Sequence, residues 1–350
     1  MDSISSLRLD FQQISNQNFD KVSDLIEYMG AVQAQDLAMA KWALGLRLKN
    51  ATENTIDEAI NSGQIIRTHV LRPTWHFVSP DSISWMIDLT AKRIKSQSKA
   101  RLKQLEIDEM VLKKSVRILE KYLLSNKSIR RETITMEFEN HSIRTNENRL
   151  SHILMELELN KIICSGGVEN SKQTYALFDE RIKHKNHLNK DESLARLADM
   201  YFQSHSPACL EDFVWWSGLS VSEAKSGIAD IQKNLDVFVE NDRNYYIWNR
   251  REAARNMSDS FFLLPAFDEF LISYKFRESS ISDLYNRKAI SDNGIFRPLM
   301  VLNGGVIGIW KRSLRSKKLH IETEIFIPQN ENFEKLLNPA KDRFLKFAGF

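Results

Sequence analysis

Two cysteines, Cys164 and Cys209, are the only thiols in this chain of 350 residues. Two leave no disulfide framework to read and no CxxC metal spacing, a composition that suits a reducing compartment and two small buried hydrophobes. Long apolar runs are also missing. Nowhere does the sequence approach the roughly 18 consecutive apolar residues of a membrane-spanning helix, and "MDSISSLRLDFQQISNQNF" has no basic segment followed by an apolar one. Cytoplasmic residence and no membrane partner are the expectations. Charge of one sign is not in excess: 49 basic and 46 acidic side chains leave +3, so any basic footprint for a nucleic acid must be local. The eight histidines are scattered, and no Cys/His/carboxylate grouping has zinc spacing. Neither a metal nor a cofactor is expected.

What is present suffices for a folded, soluble protein. Hydrophobic residues make up 42% and charged residues 27%, enough for a real core, and the length exceeds one ordinary domain of roughly 100–200 residues. Residues 20–29, 37–49 and 54–62 read as short helices, with Val22, Leu25, Ile26 and Met29 at helical spacing, followed by the β-like runs "QIIRTHVL" and "TWHFV" about Pro73. Three helices and a hairpin are the order of a winged helix. The order returns twice. An amphipathic helix at 108–124, "IRRETITMEFE" and "NENRLSHILMELELNK" precede "IICSGG" and "QTYALF". A helix at 191–204, "CLEDFVWWSG" and "SVSEAKSGIADIQ" precede "LDVFVE" and "NYYIWN". From about residue 260 come short β-like runs, "FFLLPAF", "RPLMVLNG", "GVIGIW" and "KLHIETEIFI", with an Asn303-Gly304 hairpin signal. The expected domains are 1–90, a linking helix and second winged helix at 91–180, a third at 190–255, and a small β-rich, barrel-like domain at 260–350. The basic stretch at 181–190 is the expected linker.

The segment "YMGAVQAQDLAMAKWALGLR" holds two glutamines between apolar helices. Gly30 is placed to end the first helix and Asp36 to N-cap the next, which leaves 31–35 as a connector. In an extended connector residues two apart share a side, so Gln33 and Gln35 are expected to face one way and Ala34 inward. An arbitrary QxQ in a loop does no more than bond backbone and water.

The surrounding blocks carry more. "MGAVQAQDLAMAKWALGLR", "RTHVLRPTWHFVSPDSISWM", "DFVWWSGLSVSEAK", "LLPAFDEFLISY" and "RPLMVLNGGVIGIWKR", in this order over nearly the whole chain, resemble the bacterial winged-helix DNA glycosylases of the AlkZ/YcaQ family. The resemblance implies an α+β fold with three tandem winged-helix motifs in a C-shaped arrangement plus the β-rich C-terminal domain. It also implies excision of alkylated bases from DNA, with a catalytic motif of glutamine, one intervening residue and a second polar residue. The matching positions are Gln33 and Gln35, with the small Ala34 between them, as in the Gln-x-Gln subgroup known for unhooking interstrand cross-links as well as removing monoadducts. Amides suit that chemistry. An N7-alkylated purine is already cationic and leaves readily, so what remains is to place a water at C1′ and to stabilise an oxocarbenium-like transition state. A glutamine does not titrate, so its role is orientation and electrostatics. Water placement is assigned to Gln35 and support of the sugar or water to Gln33. No lysine stands out as a Schiff-base nucleophile, so a monofunctional glycosylase, a monomer acting on double-stranded DNA with alkylated bases, is expected.

Other residues are candidates for DNA contact. Arg67, His69, Arg72 and His76 lie on or beside the first wing, where such side chains meet phosphate or the minor groove, although alternate strand positions are half buried by default. Lys311, Arg312, Arg315, Lys317 and Lys318 sit between two β-runs as a basic hairpin tip. Lys92, Arg93, Lys95, Lys99, Arg101 and Lys103 lie on a helix at 91–104; for both groups a solvated charged face is the competing reading. Trp215 and Trp216 are expected in the core. Asp268 and Glu269 invite an acid–base reading, but neighbours on a strand face opposite ways, so a structural role is expected. The rival function is a non-catalytic winged-helix regulator that reads sequence with the same helices.

Overall fold

Capping and helical apolar spacing set the first elements. The computed structural model describes residues 3–249, 260–316, 318–328 and 333–350. Helix α1 (Ile4–Phe11), absent from the sequence reading, begins where the Ser3 hydroxyl accepts the N–H of Ser6 at 3.2 Å. Helix α2 (Val22–Met29) buries Val22, Leu25, Ile26 and Met29, and Gly30 closes it at φ +74°. A side chain at Gly30 would be strained by that φ and would meet the Met200 side chain at 3.0 Å. Strand β1 (Ala31–Gln33) follows, then α3 (Leu37–Arg47), whose N-cap Asp36 accepts the Met39 N–H at 3.1 Å, and α4 (Glu53–Ser62).

Strands β2 (Ile66–His69) and β3 (Trp75–Val78) pair antiparallel, His69 opposite Trp75. Helix α5 (Pro80–Gln104) starts eleven residues before the basic stretch at 91, because Ser79 caps it and Pro80 opens it. The second round then appears in full: α6 (Glu109–Leu123), β4 (Ile129–Arg130), α7 (Arg131–Asn140), α8 (Arg149–Leu159), β5 (Ile163–Glu169) and β6 (Lys172–Leu177). Its sheet has the order β4-β6-β5, and Leu119, Ile134, Phe138, Ile153 and Leu154 fill one core beside it. After the short α9 (Phe178–Arg181), residues 182–189 have no regular structure.

The third round is α10 (Lys190–His205), α11 (Leu210–Ser217), α12 (Val221–Asp230) and the hairpin of β7 (Leu235–Glu240) with β8 (Arg243–Trp248). A reciprocal capping box between Ser220 and Glu223 starts α12. Beyond residue 260 come β9 (Phe261–Leu264), α13 (Glu269–Ile272), α14 (Asp283–Ala289), β10 (Leu299–Leu302), β11 (Gly305–Arg315), β12 (Lys318–Ile325) and α15 (Phe333–Phe347). The strands form an antiparallel sheet of order β12-β11-β10-β9. The sequence reading of this region as strands misses α15, which packs Phe344 and Phe347 against Trp42 of α3. Gly45 permits that packing: a Cβ there would sit 2.2 Å from the Phe347 ring.

The fold is thus mixed helix and small antiparallel sheet, in two compact units. Met1–Ile56 with Leu194–Phe350 makes one, and Asp57–Ser193 the other. No helix among the described residues is long and apolar enough to cross a membrane. Cys164 and Cys209 are buried free thiols, and burial raises both, Cys164 to about 12.

Candidate active site

Gln33 is the last residue of β1, held between a glycine-terminated helix and a capped one. Beyond it the strand ends, and residues 34–36 bend into the cap of α3. The shared extended face expected of the two glutamines therefore does not form. Gln33 is buried, at 4% exposure, whereas Gln35 is exposed, and Ala34 is buried. The alternation that would align i with i+2 needs the strand to continue, and the demand of Asp36 for capping geometry stops it.

A buried carboxylate stands behind Gln33. The Gln33 backbone N–H donates to Glu269 Oε1 at 2.5 Å, and Trp216 Nε1 donates to Oε2 at 3.2 Å. The Ser273 hydroxyl also donates to Oε2, and His205 Nε2 lies 3.5 Å from it. Burial pushes the Glu269 carboxyl up, but the His205 ring, the Ser273 hydroxyl and the Gln33 N–H outweigh it and lower the group below the usual carboxylate range. Burial pushes the His205 imidazole down. Glu269 is therefore an ionised group in the interior, tolerable because several donors satisfy it.

Its neighbour Asp268 holds the other end of α3. Both carboxylate oxygens take bonds from Arg47, at 2.8 and 2.9 Å, and all of these atoms are buried. Arg47 also donates to Gln12 Oε1, Gln12 donates to the Tyr274 hydroxyl, and Tyr274 donates to the His205 carbonyl. Asp268 and Glu269 are not the strand neighbours that the sequence suggests: β9 ends at Leu264, Asp268 caps α13 and Glu269 is its first residue. Two adjacent carboxylates thereby grip two different parts of the β1–α3 segment. Sequence reasoning missed Glu269, His205 and Ser273 in this setting because each is remote in the chain from Gln33. The one available signal was a pair of acids within an apolar run. The tryptophan pair divides: Trp216 is in the core, while Trp215 is 41% exposed, bonded to the Ile272 carbonyl and lying beside Arg277.

In the second unit the first-wing residues are largely internal. Arg67 lies over the Trp75 ring and donates to Gln173 at 2.5 Å; His69 Nδ1 is 2.7 Å from the buried Glu158 and its ring is against Trp75. His76 is fully buried, bonded to the Thr74 carbonyl, and Arg72 is half-buried. Contacts within the hairpin and with α8 and β6 thus engage Arg67, His69 and His76. On α5, Lys92, Lys99, Arg101 and Lys103 are exposed, Arg93 is half-buried, and half-buried Lys95 donates to Asn160.

The basic run at 311–318 forms a hairpin, with Arg315 opposite Lys318. Lys311 and Arg315 both pair with Glu322 on β12, at 2.9 and 2.7 Å, and their pairing lowers that carboxyl. Arg312 lies over the Phe344 ring at 5.9 Å, Lys318 is exposed, and Lys317 lies outside the described residues.

Comparison with known proteins agrees over the length of the chain. A curated relative from Streptomyces sahachiroi, an interstrand DNA cross-link repair glycosylase, is 22% identical over 322 residues, covering 87% of this chain and 85% of its own. The solved structure of the Streptomyces sahachiroi DNA glycosylase AlkZ superposes with a TM-score of 0.78 at 16% identity, covering 100% of this chain and 98% of that one, a likeness of fold. The family model described as DNA glycosylase AlkZ-like matches residues 26–347, a span that includes both glutamines and the whole of the second and third helical rounds. A family of glycosylases sets aside the regulator reading, and the chain belongs to the AlkZ-like DNA glycosylase family.

Proposed function

We propose that this glycosylase hydrolyses the N-glycosidic bond of N7-alkylated purines in duplex DNA, with Gln33 and Gln35 as its catalytic residues. The observation that carries the reading is the seat of Gln33, a neutral amide on a backbone fixed from both sides by caps and from behind by Glu269. A group that accelerates a reaction by orientation has to be held before the substrate arrives, and the fixed backbone of Gln33 supports that role. Gln35, exposed one residue beyond the buried Ala34, is accessible to DNA and orders the attacking water in the complex.

The reaction balances without a strong acid. Water adds to C1′ as the bond to the base breaks; the bonding electrons pass to the purine and neutralise its alkyl-derived charge, and one proton leaves to solvent. The products are a neutral alkylpurine and an abasic site, from a monomer working by hydrolysis alone. The Streptomyces relative, an interstrand DNA cross-link repair glycosylase, supports extending the substrates to interstrand cross-links. Phosphate contacts come from the exposed cations of α5 and of the β11–β12 hairpin. The wing residues Arg67, His69, Arg72 and His76 support the surface beside them.

The test is release of 7-methylguanine from duplex DNA under single turnover. Base release by the wild type is expected, with loss of about 10²–10³-fold in rate in Gln33→Ala and in Gln35→Ala. Wild-type rates in both variants would remove the pair from the chemistry.

A further inference from the structure

Glu269 is a buried charge without an obvious reason to be one. Its surroundings, Trp216, Phe270, Leu271 and Tyr274, are core residues, and a carboxylate among them is costly where an apolar side chain would pack. The cost is met by three donors, the Gln33 backbone, the Trp216 indole and the Ser273 hydroxyl, with the His205 ring 3.5 Å away. Three of these contacts converge on Oε2, from His205 of α10, Trp216 of α11 and Ser273 at the C-terminal end of α13, and they immobilise the group. The remaining oxygen, Oε1, accepts the backbone N–H of Gln33. The arrangement is a rigid acceptor whose second oxygen engages the residue that carries the motif.

We propose that Glu269 is a positioning residue for base excision, acting through the Gln33 backbone: its Oε1 fixes the end of β1 so that the Gln33 amide is held in place before DNA binds. The proposal rests on the catalytic role given to Gln33 above, and adds the means by which that role is maintained. A displacement of about 1 Å at such a group is enough to cost on the order of 10²-fold in rate. Asp268 serves α3 by a separate contact to Arg47, so the two neighbouring acids have distinct effects.

The experiment is a double-mutant cycle on single-turnover release of 7-methylguanine, with the Gln33 amide proton followed by ¹⁵N–¹H NMR. Glu269→Gln is expected to slow release about ten- to hundredfold while leaving the duplex Kd within about twofold. In a Gln33→Ala background the same change should alter the rate by less than about twofold, because the residue acted upon is gone. A purely structural role would instead multiply with Gln33→Ala and weaken DNA binding as well, and that outcome overturns the proposal. The Gln33 amide proton, bonded to a carboxylate, should lie far downfield and move upfield in Glu269→Gln; an unmoved resonance also overturns it, whatever the activity. Should Glu269→Gln not fold, Trp216→Phe removes one donor from Oε2 and is carried through the same cycle and the same NMR measurement, with the same two overturning results. If the wild type releases no base at all, the glycosylase reading of Gln33 falls, while the amide resonance still decides whether Glu269 holds it.

Discussion

The seat of Gln33 and the β11–β12 hairpin both depend on charged side chains, and they use them oppositely. Behind Gln33 the acids Asp268 and Glu269 are fully enclosed and each has several short, fixed partners. On the hairpin, Lys311 and Arg315 are exposed and share one carboxylate, Glu322. Removing a partner from an enclosed pair strands a charge where water cannot reach it, whereas an exposed pair loses little. Enclosed charge therefore fixes geometry, and exposed charge stays available for a phosphate. The bare count of 49 basic and 46 acidic residues does not distinguish these two uses.

The largest effect that would sharpen this contrast is expected at the enclosed pair. Arg47→Met leaves Asp268 buried without its bidentate partner, and a loss of about 3–5 kcal/mol in unfolding free energy is expected by urea titration. A loss below about 1 kcal/mol would place that pair with the exposed ones.

Next come the two glutamines, which break the comparison from inside one motif. Both alanine variants should lose about 10²–10³-fold in rate, yet only Gln33→Ala should also lower the melting temperature, since Gln35 lies at the surface where changes stay within about 0.5 kcal/mol. Equal melting temperatures would mean that the burial of Gln33 contributes nothing to folding.

Gly45→Ala tests how α15 is seated on α3. The added methyl meets the Phe347 ring, so a loss of about 1–3 kcal/mol is expected, and Gly45→Ala combined with Phe347→Leu should recover part of it. No recovery would mean that another contact, not Phe347, sets the spacing.

The smallest stability effects belong to the hairpin. Lys311→Ala should change unfolding free energy by less than about 0.5 kcal/mol while reducing the salt dependence of duplex binding by about one unit of log–log slope. Glu322→Gln should act the other way, freeing both cations and tightening binding. If it weakens binding, the paired form of the hairpin is the one that meets DNA.

Local chemistry made much of this structure readable. Gly30 and Asp36 punctuate the segment as expected because capping is decided within a few residues, and the order of three helices and a hairpin in the second and third rounds follows from apolar spacing. Helix α15 carries a legible stripe of Phe333, Leu337, Phe344 and Phe347, but Pro339 inside it argues against a helix from sequence alone. The shared face of Gln33 and Gln35 does not form because a three-residue strand is too short to carry its alternation to residue 35. Glu269 was visible only as one of two acids. Nothing within a local window shows that its oxygen meets a backbone N–H 236 residues away.

The two thiols have a consequence for survival under the stress that creates the substrates proposed here. Alkylating agents attack thiolates faster than they attack thiols, and Cys164 and Cys209 are both enclosed and held protonated, the first up to about 12. An electrophile that marks purines in the DNA therefore finds no ready thiolate on the folded repair protein, whose only two cysteines are shielded by the core they help to fill.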